Sequence, residues 1–192
     1  MKKERNVVYW LIKPIYVVLL KIIFRPKVIG KENIPEDGAL IFAGNHKHAV
    51  DPTMVMMSTK RIVHFMAKEE LFKGLHGVIF KSIGLIKVRR GKSNPQAVVD
   101  AEEILTNGGT IGIFPEGTRN KGKEELLKFR HGTVKIAQKT NTLILPFAIK
   151  NEYKVFRKSV ILEFGKPIDV SKMELDAANE YLKNEVLKLL RK

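Results

Sequence analysis

In the segment Asn45-His46-Lys47-His48-Ala49-Val50-Asp51-Pro52 a histidine and an aspartate are separated by four residues. An imidazole is well suited to accept a proton near neutral pH. A carboxylate that folds back onto it fixes its tautomer and stabilises the imidazolium. His46 and Asp51 therefore read as a general base with its orienting acid. A plainer reading competes: Asp51 before Pro52 is a good helix N-cap, and His46 then merely ends a strand. One carboxylate can also serve both, one oxygen capping and the other facing His46. A third reading adds His48 to make a metal cluster, since alternate residues on a strand share a face. No further acidic cluster completes that site, and His64, His76 and His131 have no matching spacing. His48 reads better as a polar loop residue.

A second segment, Phe114-Pro115-Glu116-Gly117-Thr118-Arg119, offers different chemistry. Gly117 lets the backbone approach a ligand closely. Arg119 presents a planar fork of donors matched to a phosphate. Glu116 is placed either to hold Arg119 or to bond a substrate hydroxyl. The alternative is a β-turn with a surface ion pair. Arg89 and Arg90, beside Lys87, Gly91 and Lys92, form a second cationic group or a solvated basic turn, and Lys128, Arg130 and His131 a weaker third. The chain has no cysteine, which excludes disulfides and thiolate nucleophiles, and it has no Gly-x-Ser-x-Gly elbow.

These groups need a scaffold. Residues 39–43 are an apolar run that reads as a strand ending just before His46, and residues 110–114 read as a buried strand ending before Glu116. Asp51-Pro52 opens a helix to about Ser58. Further strands are expected over 61–67, 83–88, 143–149 and 155–164. Further helices are expected over 94–107, 132–140 and 174–190, with 69–80 helical or irregular. Pro146 inside an apolar strand suggests an edge or a bend near a site. Strands alternating with helices indicate an α/β fold: one domain with a mixed, mostly covered β-sheet flanked by helices. A chain of 192 residues suffices for one such core.

The formal charge of +15 implies an anionic partner: nucleic acid, an anionic membrane or a phosphorylated substrate. The amino end narrows this. Residues 7–24 read VVYWLIKPIYVVLLKIIF between basic flanks. A spanning helix wants about 20 mainly apolar residues, and this run is interrupted by Lys13, Lys21 and a kinking Pro14. The two lysines lie roughly 80° apart around a helix, on one polar edge, with the remainder facing lipid. The segment reads as an interfacial anchor rather than a spanning or core helix, its basic flanks meeting anionic headgroups. No small-residue cleavage site follows it.

Asn45-His46-x4-Asp51, the Gly84…Arg90 stretch, Phe114-Pro115-Glu116-Gly117-Thr118-Arg119 and Leu145-Pro146-Phe147-Ala148-Ile149 resemble, in order, the four blocks of the glycerolipid acyltransferase family, most closely its bacterial 1-acyl-sn-glycerol-3-phosphate members. The resemblance covers about residues 28–165. It implies a membrane-associating segment (1–27) and an acyltransferase domain (28–192) at the cytoplasmic face. It implies transfer of a fatty acyl group from acyl-CoA or acyl-ACP, as co-substrate, to the free hydroxyl of the lysophospholipid 1-acyl-glycerol 3-phosphate, giving phosphatidic acid. By the same resemblance His46 and Asp51 are catalytic; Arg90, Glu116, Gly117, Thr118 and Arg119 bind substrate; and no metal, cofactor or nucleic acid takes part. Phe65, Met66, Leu71, Phe72, Leu75, Val78 and Ile79 are candidates for an acyl groove or, equally, for core. Alternatives are a relative acting on another acceptor (glycerol 3-phosphate, a lysophospholipid or an acylated amino-acid lipid), a metal-dependent hydrolase, and a membrane-surface protein without activity. A nucleic-acid-binding protein has only the charge to recommend it, because the basic residues are not interleaved with aromatics.

Overall fold

A computed structural model describes residues 7–89, 94–158 and 160–192, with the side chains of Leu75 and His76 outside that description. Seven strands form one sheet: β1 (Lys27–Ile29), β2 (Leu40–Gly44), β3 (His64–Lys68), β4 (Ile86–Val88), β5 (Thr110–Ile113), β6 (Leu143–Lys150) and β7 (Ile161–Phe164), in the order β1-β7-β6-β2-β5-β3-β4. All neighbours are parallel except β6 and β7. The helices are α1 (Val7–Phe24), α2 (Asp51–Ser58), α3 (Gly74–Ser82), α4 (Pro95–Thr106), α5 (Gly132–Thr140) and α6 (Leu175–Arg191). The expected α/β domain with a mixed, covered sheet and an amino-terminal apolar helix is what forms.

Strand alternation decides which residue faces which layer. Ile41 and Ala43 of β2, with Ile111 and Ile113 of β5, join α4, α5 and α6 in one core. Leu40 and Phe42 join Phe65, Phe147 and Phe164 beneath α1 and α2 in the other. Because both faces of β2 are covered, its sequence is continuously apolar rather than alternating. Adjacent strands β2 and β5 then send their following helices to opposite faces, α2 to one and α5 to the other. The crevice where such connections diverge, at the carboxyl ends of the strands, is where open α/β sheets bind ligands.

Three expectations are corrected. Residues 155–158 and Val160 are not strand: β7 begins at Ile161, which pairs with Lys150 at the end of β6. Pro146 does not mark an edge, since β6 lies between β7 and β2. The register passes from Phe147↔Phe164 to Ile144↔Ile168, giving the neighbouring chain one extra residue, and the missing proline N–H falls at that interruption. Lys13 does not share a polar edge with Lys21. It turns inward and donates to the carbonyl of Thr59 at 2.5 Å, where the end of α2 leaves acceptors unpaired. Burial, helped by Lys31, brings its pKa down to about 8.

α1 runs through Pro14 as one element and presents two apolar stripes. Tyr9 and Leu20 are buried against the domain. Leu11, Ile15, Val18 and Ile22, at helical spacing on the other side, are each more than half exposed. By length and composition α1 is also long and apolar enough to cross a membrane.

Candidate active site

The site is built from the loops that leave β2 and β5. Gly44 ends β2 against Phe147 of β6; an added Cβ would collide with the Phe147 carbonyl and ring. Asn45 follows, fully buried, and continues the β2–β6 ladder with its side chain. Its Nδ2 donates to the Ile149 carbonyl at 2.9 Å, and its Oδ1 accepts from the Ile149 N–H at 2.7 Å. The amide thus replaces a backbone pairing at the point where the chain must turn, and it fixes where His46 begins.

His46 is held on every side. Its Nδ1 lies 2.8 Å from Asp51 Oδ2. Its ring stacks on Phe114, with centroids 4.0 Å apart and planes inclined by 14°. Its N–H donates to Glu116 Oε1 at 2.8 Å, and its carbonyl accepts from the Asn120 N–H at 2.7 Å. The side chain keeps 15% of its surface exposed, so one edge reaches solvent while Asp51 reaches none.

Asp51 is not the helix cap. α2 begins at Asp51 itself behind Val50, with no side-chain cap, and the carboxylate points back into the preceding loop. There its Oδ2 accepts from the N–H groups of Lys47 at 2.6 Å and His48 at 2.7 Å as well as facing His46, and its Oδ1 accepts the Tyr153 hydroxyl at 2.6 Å. These donors surround the buried carboxylate and make it an acceptor. In the neutral imidazole the donor facing Asp51 is therefore Nδ1–H, and Nε2 is the acceptor nitrogen. Burial, with the Asp51 charge beside it, pushes the Tyr153 hydroxyl far above its ordinary pKa, so it donates and does not ionise.

Glu116 does not hold Arg119. It is buried, and its partners among the described residues are backbone N–H groups, His46 on Oε1 and Leu127 at 2.9 Å on Oε2, rather than Arg119. Burial raises its pKa, while the Leu127 and His46 N–H groups pull the other way. Glu116 clamps the loop after β5 onto the loop after β2. Gly117 adopts φ 66°, and a Cβ there would lie 2.9 Å from Arg130 Nε, so glycine is needed for the turn and for the approach of Arg130. Thr118 and Arg119 are half-exposed on the same loop, beside the Asn120 N–H that grips the His46 carbonyl.

Arg89 is engaged elsewhere, its Nε 2.8 Å from Glu69 Oε2. Arg90, the arginine assigned to substrate, lies outside the described residues. His48 stacks on Tyr153 at 4.6 Å instead of converging with His46. Among the described residues no group of three His, Cys, Asp or Glu side chains is placed to hold a metal ion. The proposed groove residues separate: Phe65 is core beneath Phe114, whereas Leu71, Val78 and Ile79 are exposed. Asn45, Phe114 and Tyr153 were given no site role by the sequence. Only Asn45 and Phe114 lay inside a motif; Tyr153 had no signal.

An imidazole oriented by a buried carboxylate, with no partner for its Nε2 among the described residues, can take a proton from a hydroxyl. A model of the acyltransferase family matches residues 25–150. A 1-acyl-sn-glycerol-3-phosphate acyltransferase of Borreliella burgdorferi is 34% identical over 85% of this chain and 68% of its own length. One of Bacillus subtilis is 31% identical over 86% and 88%. The crystal structure of a 1-acyl-sn-glycerophosphate acyltransferase, PlsC, from Thermotoga maritima superposes with a TM-score of 0.73 at 25% identity, covering 98% of this chain and 84% of that one.

Proposed function

This chain belongs to the acyltransferase family, and we propose that it acylates the free hydroxyl of 1-acyl-glycerol 3-phosphate, from acyl-CoA or acyl-ACP, to give phosphatidic acid. The observation that carries the reading is the 2.8 Å contact between His46 Nδ1 and an Asp51 that is fully buried and held by three further donors. His46 Nε2 removes the proton of the acceptor hydroxyl as its oxygen attacks the thioester carbonyl. The tetrahedral intermediate collapses, the carbon–sulfur bond breaks, and the departing thiolate takes the proton back from the imidazolium. Asp51 keeps the imidazole in the required tautomer and offsets its transient charge. No acyl-enzyme forms in this scheme.

Gly117, Thr118 and Arg119 receive the glycerol phosphate, with Arg90 completing the cationic side; the commitment of Arg89 to Glu69 favours that choice of arginine. Glu116 acts by holding His46 in register. The outward stripe of α1 and the excess of basic residues seat the enzyme on an anionic bilayer at the cytoplasmic face, where the lipid acceptor meets the site without leaving the membrane.

The reading is tested by incubating detergent-purified protein with acyl-CoA or acyl-ACP and, separately, lysophosphatidate, glycerol 3-phosphate and a lysophospholipid without a terminal phosphate. Phosphatidate formed from lysophosphatidate in preference to the other products supports it. Preference for another acceptor retains the family and replaces the substrate. With lysophosphatidate, Arg119→Ala is expected to raise KM at least tenfold, roughly the loss of one charge-assisted contact; an unchanged KM removes Arg119 from the phosphate site.

A further inference from the structure

Residues 151–158, the start of the β6–β7 connection, are not used by the chemistry except through Tyr153. At the tip, Val155 and Phe156 are 57% and 63% exposed. Phe156 has φ 59°, a conformation that a bulky aromatic residue rarely adopts, and it holds the ring out in solvent. Arg157 and Lys158 follow directly, and both are exposed. An apolar tip beside cations suits the boundary between lipid headgroups and acyl chains.

The segment is also joined to α1. The Phe156 N–H donates to the Ile23 carbonyl at 2.5 Å, satisfying one acceptor at the carboxyl end of that helix. Tyr153 packs edge-on against Phe24, with centroids 5.2 Å apart. The tip thus meets the carboxyl end of α1 next to Ile22, the last residue of its exposed stripe, and Arg25 and Lys27 follow as exposed cations. The other end of the segment reaches the site, where Tyr153 donates to Asp51.

We propose that residues 151–158 form a second contact with the anionic bilayer, inserting Val155 and Phe156 beside α1 while Arg157 and Lys158 meet lipid phosphates. The proposal rests on the reading of α1 as a membrane anchor. With two contacts, the domain is oriented on the bilayer rather than tethered to it, and the His46 crevice is brought to a fixed height above the lipid.

The test is tryptophan emission with vesicles of phosphatidylglycerol and phosphatidylcholine in equal parts. Trp10, the single tryptophan, reports on α1 in the unmodified protein. The double variant Trp10→Phe, Phe156→Trp places the indole at the tip. Blue-shifted emission, with quenching by acyl-brominated lipid, is expected in both proteins. A shift for Trp10 with none for the double variant, while that variant co-sediments with vesicles, overturns the second contact and leaves the anchor standing. No shift or co-sedimentation in either protein overturns the anchor, and the second contact with it. In the unmodified background Phe156→Ser is expected to weaken vesicle partitioning about tenfold, the loss of one partly inserted aromatic side chain; an unchanged partition coefficient also counts against the proposal.

Discussion

Asp51 is the most heavily constrained side chain in the site, and Tyr153 is the constraint most easily removed. Tyr153→Phe deletes the hydroxyl at Asp51 Oδ1 and keeps the ring against His48 and Phe24. It is expected to lower kcat about three- to tenfold, with a stability loss of about 1.5–3 kcal/mol, the usual scale for one hydrogen bond to a charged group. An unchanged kcat would show that the remaining donors orient Asp51 unaided. The pairing of His46 with Asp51 was legible because it depends on local spacing and chemistry. Tyr153 and the bracing of His46 by Asn45 were not, because their partners lie far along the chain: Tyr153 stands 102 residues from Asp51, and Asn45 104 residues from Ile149. That Glu116 and Asp51 also accept from backbone N–H groups was not legible either, because every residue carries such a group and no motif records it.

At the scale of elements, α1 and α2 are joined by Lys13, whose ammonium sits on the carbonyl of Thr59. Its folded pKa of about 8 lies below the ordinary 10.5, so between those values the unfolded chain binds more protons than the folded one. Folding stability from this group therefore rises as the pH climbs from 8 to 10.5. Relative to Lys13→Met, the wild type is expected to gain unfolding midpoint across that interval; parallel pH profiles for the two proteins would contradict the assignment. Such pairings explain why elements were easier to read than their limits. The span of α5 and the start of α2 were legible from Gly132 and Pro52. The end of β6 and the start of β7 depend on cross-strand register, which apolar content at 155–160 does not reveal.

Over the whole molecule, one helix contributes both to the core and to the exposed apolar stripe that we propose faces the membrane. Deleting α1 would remove Tyr9 and Leu20 from the core along with that stripe. A cleaner separation is to replace the outward stripe alone, Leu11, Ile15, Val18 and Ile22, with serine. That variant is expected to retain the fold by circular dichroism and to lose co-sedimentation with anionic vesicles; undiminished binding would place the membrane contact elsewhere. The α/β class followed from alternating strands and helices. The crevice required the sheet order, because it exists only where β2 and β5 lie side by side with α2 and α5 on opposite faces.

We propose that His46 removes the acceptor proton. The direct measurement is single-turnover phosphatidate formation from lysophosphatidate and acyl thioester by wild type and His46→Ala, with the fold of both checked by circular dichroism. A loss of at least about a hundredfold is expected in the variant, the lower bound for a general base, with lysophosphatidate binding retained. Turnover near the wild-type rate in a folded His46→Ala protein would contradict it.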